Sequence, residues 1–244
     1  MSRLTLVTAV RTDAGLVRSH NEDAVFASPE LVAVADGVGG AAAGEVASRA
    51  VIDALIHLDK CRLTGPLPDA LRAAVKAGND AIGFITSCRP RTRGMATTLT
   101  AVALGDGYTV ANVGDSRTYL FREGRLAQLT RDDSFVQSLV DSGELDPADA
   151  PHHPRRSVVL AVLDGDPARE ASVTTHAARP GDRLLLCSDG LTDLVGDTAL
   201  AAALAIPSRE RCAARLVELA LAAGGRDNVS VIVADAIPAA QRAA

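Results

Sequence analysis

The chain has 244 residues, 48% of them hydrophobic but only 2% aromatic and none Trp, with a formal charge of −5. That is enough apolar chain for a packed core built from Val, Leu, Ile and Ala, while the acidic balance and the shortage of stacking rings argue against a nucleic-acid partner. No apolar run approaches the roughly 18 residues of a membrane span, the N-terminus is too short and Thr-interrupted for a signal peptide, and Cys61, Cys88, Cys187 and Cys212 lack zinc-site spacing, so a cytoplasmic protein with reduced thiols is expected.

Alternation over 4–10 predicts a strand, followed by a polar connection and a short strand over 24–27. Read alone, Asn21-Glu-Asp23 in that connection is a solvated turn. The apolar run 31–35 predicts a buried strand ending at Asp36, followed by Gly37-Val-Gly-Gly40 and by helical spacing over 44–58. This strand, glycine turn and helix fit the loose dinucleotide pattern G-x-G-x-x-A. Asp36, however, would set a negative charge against a pyrophosphate, and Asp53 and Asp59 fall within or at the end of the helix rather than closing a second strand. A carboxylate at this turn is better suited to a cation.

A break at Pro66 and Pro68 leads into an amphipathic helix over 68–85, with Asp69 in its first turn favouring the dipole. After the basic loop Arg89-Pro-Arg-Thr-Arg93, the runs 97–104, 108–113 and 118–122 predict an antiparallel meander with Asp115 at its second turn, and 126–130 adds a strand. Over 132–163 the pattern is short and irregular, with a helix at 135–140, and is read as an insertion over one edge of the fold; His152 and His153 fall in its Pro-bounded loop as surface residues. A strand over 171–177 follows. The stretch 182–191 then repeats the earlier design, delivering Asp189 into a glycine turn. Helices over 197–206 and 208–223, the second capped by Ser208, precede Gly224-Gly-Arg-Asp227 and a terminal strand.

Asp36, Asp115, Asp189 and Asp227 therefore all stand at strand–turn junctions, from which they can converge at one end of a sheet or pair of sheets. All-oxygen donors, beside glycines that let backbone approach, suit Mg²⁺ or Mn²⁺ rather than zinc. Two such ions about 3.5–4 Å apart activate a water for in-line attack on phosphorus. An arginine completes the site by bidentate binding of phosphate oxygens, and Arg18, just upstream of Asn21-Glu-Asp23, is the candidate. A cysteine-dependent mechanism fails, since the position six after the thiol holds Asp193 for Cys187 and Gly94 for Cys88.

Six motifs stand in order: Arg18-x-x-Asn-Glu-Asp23, Val34-Ala-Asp-Gly-x-Gly-Gly40, Gly94-Met-Ala-Thr-Thr98, Gly114-Asp-Ser-Arg117, Leu186-Cys-Ser-Asp-Gly190 and Gly225-Arg-Asp-Asn-Val229. With them the chain resembles, nearly end to end, the metal-dependent protein serine/threonine phosphatases of type 2C, particularly their compact bacterial members. The resemblance implies a single catalytic domain over 1–244 of α+β class: a four-layer α-β-β-α sandwich with two central antiparallel sheets flanked by helices, and a flap at about 132–163 contributing to substrate choice. It implies two to three Mn²⁺ or Mg²⁺ ions, with Asp36 bridging two, Gly37 offering its carbonyl to one, and Asp189 and Asp227 holding the other. Asp115 would bind a third ion shared with Asp189 and Ser157, Arg18 would hold the substrate phosphate, and Glu22 or Asp23 would act through water on the metal.

The implied activity is hydrolysis of phosphoserine and phosphothreonine in proteins, opposing a serine/threonine kinase, by a monomer with no nucleic-acid partner. The alternative is a catalytically silent phosphoprotein-binding pseudophosphatase; a two-metal nuclease fits the composition less well. Many members outside bacteria carry His after the Asp-Gly pair as general acid. Here that position is Val38, which leaves a water on the metal, His153 and His20 as proton sources, with water favoured.

Overall fold

The computed structural model describes residues 3–38, 43–61 and 65–240. Gly39, Gly40, Ala41 and Ala42, the remainder of the first glycine turn, lie outside the described residues. Strands β1 (Leu4–Asp13), β2 (Ala24–Ala27), β3 (Leu31–Ala35) and β4 (Gly37–Val38) precede helices α1 (Gly44–Lys60) and α2 (Leu67–Cys88). Then come β5 (Ala96–Thr97), β6 (Leu99–Leu104), β7 (Tyr108–Val113), β8 (Arg117–Arg122) and β9 (Arg125–Gln128), followed by α3 (Phe135–Asp141). The chain continues through β10 (Ser172–His176), β11 (Arg183–Cys187), α4 (Asp189–Thr192), α5 (Asp197–Leu204), α6 (Arg209–Ala222) and β12 (Val229–Pro238).

One five-stranded sheet runs β1-β12-β11-β8-β9 and a second runs β10-β7-β6-β3-β2, while β4 and β5 form a small pair of their own. All pairings are antiparallel. The strand period of two sorts each central strand between two apolar layers. Leu31, Ala33 and Ala35 of β3 pack with Ala47, Val51 and Leu55 of α1, whereas Val32 and Val34 face Leu184, Leu186 and Ile232 of the other sheet. On β11 and β12 the outer face, with Leu185, Cys187, Val231 and Val233, meets Leu200, Cys212 and Leu216 from α5 and α6. Three apolar layers thus separate four structural layers, helices outermost, which is the expected sandwich.

Close packing of α1 on α2 depends on Gly78, where a Cβ would stand 2.9 Å from the Cα of Val51. Ser208 caps α6 as expected, its hydroxyl accepting from the Arg211 N–H at 3.2 Å. Several elements run past their expected ends: β1 and β12 pair over ten residues each, to Asp13 and Pro238.

The meander is corrected. β6 and β7 form the expected hairpin, but β8 leaves for the other sheet, where it pairs with β11 and β9. The Gly114-Asp-Ser116 segment is therefore a crossover between stacked sheets. Hydroxyl bonds of 2.7 Å, Thr98 to Ser116 and Thr100 to Thr118, cross the interior beside it. Alternation reports a strand's two faces but not which sheet receives it, so the sequence pattern could not separate the two topologies. The run expected over 97–104 is also divided, because Thr97 turns aside to pair with Gly37 while β6 begins at Leu99. Among the described residues no helix is long and apolar enough to cross a membrane.

Candidate functional site

The antiparallel order brings the outgoing ends of β3, β7 and β11 and the incoming ends of β8 and β12 to one rim of the sandwich. Asp36, Asp115, Asp189 and Asp227 occupy those ends. Each backbone is fixed before its carboxylate is placed. The Asp36 N–H donates to Thr98 Oγ1 at 3.2 Å, while its carbonyl accepts from the Thr98 N–H at 2.9 Å and from Thr97 Oγ1 at 2.8 Å. Asp189 follows Ser188, whose N–H donates to the Ser230 carbonyl at 3.1 Å and whose Oγ accepts from the Ser230 N–H at 2.9 Å, tying β11 to β12.

Loop 14–22 is held against the same rim by Asn228. Its Oδ1 accepts from the Glu22 N–H at 2.8 Å, and its Nδ2 donates to the carbonyls of His20 at 2.8 Å and Ala14 at 3.0 Å. Ser48 of α1 donates to the Glu22 carbonyl at 2.6 Å. These contacts press Glu22 toward Gly37 and Gly44. A Cβ on Gly37 would stand 2.6 Å from the Glu22 carbonyl, and one on Gly44 would collide with the Glu22 carboxylate and stand 3.0 Å from the Gly37 carbonyl oxygen. Two glycines thereby let a carboxylate and a main-chain carbonyl share one small space.

The buried Asp36 carboxyl lies close enough to Asp23 and Asp189 to be governed by their charges. Burial, then the charges of Asp23 and Asp189, push Asp36 well above the ordinary carboxylate range. Asp189 is pushed the same way by burial and by Asp115 and Asp193. Asp23 rises to about 6 through burial, offset in part by Ser230 and Ser188, and Asp115 rises to about 6 through burial and Asp132. Burial and Glu45 raise Glu22. Like charges held this close in low dielectric demand either protons or a cation.

Two observations favour the cation. The Oδ1 atoms of Asp23 and Asp189 are buried with no hydrogen-bond partner, and every available donor atom is a hard oxygen. Among the described residues no three His, Cys, Asp or Glu side chains already enclose one ion, so the carboxylates line a shared well without forming a finished cage. The set fits Mg²⁺ or Mn²⁺, which keep waters and use few protein ligands per ion. Cys187 is excluded as a nucleophile: it is buried on β11, with its thiol pushed up to about 12 by burial.

Other expected residues fall in distinct places. Arg18 Nη2 donates to Asp227 Oδ2 at 2.7 Å, and that bond, with the charge of Asp227, keeps the guanidinium firmly protonated. Ser157 reaches neither Asp115 nor Asp189 directly; its hydroxyl donates to Asp193 Oδ2 at 3.1 Å. Asp193 was missed in sequence although it stands four residues after Asp189 on one helix turn, a spacing that shares a face. Asn228 stood inside a recognised motif with no role. His20 lies close enough to Glu22 to act on its charge, whereas His153 packs its ring 5.9 Å from that of Phe135 in the 132–163 region. Arg117 chelates Asp132 through Nε at 2.9 and 3.0 Å and Nη2 at 2.6 Å, fixing where that region leaves the core.

The profile of the family described as Protein phosphatase 2C matches residues 11–219. The chain is 51% identical over 240 residues to the serine/threonine protein phosphatase PstP of Mycobacterium tuberculosis, covering 97% of this chain but 46% of that protein. It thus spans about half the length of that relative. It is 36% identical over 238 residues to the serine/threonine phosphatase stp of Listeria monocytogenes, covering 92% of this chain and 94% of that one. The crystal structure of the PstP catalytic domain, solved with two manganese ions, superposes with a TM-score of 0.90 at 49% identity, covering 96% of this chain and 99% of that one.

Proposed function

The chain belongs to the protein phosphatase 2C family, and from that premise we propose that it is a metal-dependent hydrolase of phosphoserine and phosphothreonine in proteins. The observation that carries the reading is the buried Asp36–Asp189 pair, with an unpartnered oxygen on Asp189, at a rim that also holds Arg18. The chain acts as one catalytic domain, with 132–163 as a flap. The reading includes two or three Mn²⁺ or Mg²⁺ ions. Asp36 would serve two of them, the Gly37 carbonyl would serve one, Asp189 and Asp227 would hold the other, and Asp115 with Asp189 would hold a third, with Ser157 contributing through Asp193.

When bound, such ions supply Lewis acidity toward phosphate and make water acidic enough to act as a nucleophile near neutral pH. The remaining work belongs to side chains. Arg18 orients the phosphoryl group by its planar fork, and Glu22 and Asp23, whose carboxyls burial raises, accept hydrogen bonds from waters at the site. Val38 offers no proton and His153 packs against Phe135 in the flap, which leaves His20 or a water that a bound metal would hold as proton source for the departing serine or threonine alkoxide, with water favoured. Phosphorylated proteins, including a serine/threonine kinase, are the proposed substrates of a cytoplasmic monomer. The silent phosphoprotein-binding alternative draws on no residue, since every position of the acidic set is filled. Titrating Mn²⁺ into the chelated protein with p-nitrophenyl phosphate and a phosphothreonine peptide tests the reading: metal-dependent release of phosphate is expected, and binding without turnover would overturn it.

A further inference from the structure

Two arginine-bearing segments meet at Thr97, the strand partner of Gly37 beside Asp36. The first is the loop 89–93, in which a tight turn over Pro90–Thr92 buries Thr92 and leaves Arg89, Arg91 and Arg93 exposed. Thr92 Oγ1 donates to the Arg89 carbonyl at 2.8 Å and the Met95 N–H donates to the Thr92 carbonyl at 3.1 Å, so the backbone is pinned while the guanidinium groups project. This loop feeds directly into β5, which pairs with Gly37 and Val38 beside Asp36.

The second segment is the flap. Leu163, at its end, exchanges two backbone hydrogen bonds with Thr97, at 3.0 and 2.8 Å, and Ser157 touches the exposed Asp193, four residues after Asp189. Two residues before Ser157, Arg155 places its guanidinium carbon 4.1 Å from the centre of the Phe135 ring. Stacking fixes the plane of the fork and leaves its edge donors outward. Among the described residues, none of Arg89, Arg91, Arg93 and Arg155 pairs with a carboxylate, although ion pairs are common elsewhere on the chain.

Exposed arginines without a carboxylate partner, on two segments joined through Thr97 to the strand pair beside Asp36, give this chain of net charge −5 a local cationic face for an anion that arrives from outside. The phosphoryl group itself is met by Arg18 on the loop 14–22 side. We propose that Arg91, Arg93 and Arg155 form a second anion-reading rim, selecting phosphopeptides that carry another acidic group, either a carboxylate or a second phosphate, within a few residues of the phosphoserine or phosphothreonine. This rests on the phosphatase reading and narrows its substrate class. Exposed charge pairs contribute modestly one by one, but several acting together shift encounter and affinity measurably, and they do so in a salt-dependent way.

The test compares kcat/KM on three phosphothreonine peptides of one backbone sequence: neutral flanks, flanking glutamates, and a second phosphothreonine two residues away. The readout in each protein is the ratio of an acidic peptide to the neutral one. A ratio of about tenfold at low salt is expected, falling toward unity at high salt. It should fall to about two in Arg91→Gln/Arg93→Gln/Arg155→Gln, while persisting in Arg125→Gln, an exposed arginine of β9. A preference for only one of the two acidic peptides would identify which anion is read. A ratio near one in the unaltered protein, or one unmoved by the triple substitution, overturns the proposal while leaving the phosphatase reading intact. Failure to hydrolyse any of the three peptides would instead remove the phosphatase reading.

Discussion

Arg18 and Asp227, 209 residues apart in sequence, share a hydrogen bond of 2.7 Å from Nη2 to Oδ2. The residue proposed to hold phosphate is thus tied to one proposed to hold a cation. Both side chains are substantially exposed, 53% and 37%, so the pair contributes little to folding. Its consequence is competition, because a guanidinium and a divalent ion both draw on the Asp227 carboxylate. Arg18→Ala should raise KM for a phosphopeptide by about tenfold and lower the Mn²⁺ concentration for half-maximal activity, with Tm almost unchanged. Metal titrations at saturating peptide, beside a thermal melt, check all three; an unchanged KM would remove Arg18 from phosphate binding.

Asp36 and Asp189 raise a different expectation. Burial and mutual repulsion make this pair costly in the metal-free protein, and neutralising one member relieves that cost. Asp36→Asn should therefore melt higher than the parent protein in chelator, yet lose both the Mn²⁺-induced rise in Tm and the hydrolysis of a phosphothreonine peptide. If the variant keeps a full metal-induced rise, Asp36 is not a ligand.

The placement of Asp36, Asp115, Asp189 and Asp227 at strand ends was legible, because glycine and aspartate mark such ends in the sequence one local pattern at a time. Legibility stopped where a property belongs to two distant segments. The pairing of Arg18 with Asp227, the reach of Ser157 to Asp193, and the hold of Asn228 on loop 14–22 join residues that no periodicity connects. The passage of β8 into the second sheet failed for the same reason, since an alternating strand fits either partner.

Gly190 sits directly after Asp189 in α4, and a Cβ there would collide with the Asn228 carbonyl that precedes β12. Backbone cannot yield as a side chain can. Gly190→Ala should cost roughly 3 kcal/mol or more by forcing α4 away from β12, and should weaken metal binding by separating Asp189 from Asp227. Gly196→Ala, at a position with open space around it, is the matched control and should stay within about 1 kcal/mol. Urea denaturation of the two variants decides the matter; equal midpoints would mean that the chain relaxes around Gly190 at no cost.

Asp182 stands at the end of β11 opposite Asp189, and its pH behaviour is opposite too. Burial alone would raise its pKa. Its oxygens, however, accept from Arg122 Nε at 2.6 Å and Nη2 at 2.7 Å, from the Arg179 N–H at 2.7 Å and from the Tyr108 hydroxyl at 3.0 Å, and these donors leave the carboxyl below its ordinary value. A depressed pKa contributes stability that is present above the unfolded value of about 4 and is lost as pH falls through the folded value. The carboxyls of Asp23 and Asp115, raised to about 6, act in reverse, since the metal-free fold binds their protons more tightly than the unfolded chain and loses stability as pH rises from about 4 to 6. In chelator, Tm should therefore peak at about pH 4 to 5 and decline on both sides. Saturating Mn²⁺ should lift the neutral side and move the optimum upward, because carboxylates that bind metal no longer favour protons. Asp182→Asn should reduce the acid-side decline and lower Tm throughout by weakening the Arg122 and Tyr108 contacts. A chelated protein whose Tm climbs steadily from pH 4 to 7 would show that the rim carboxylates are not crowded in solution.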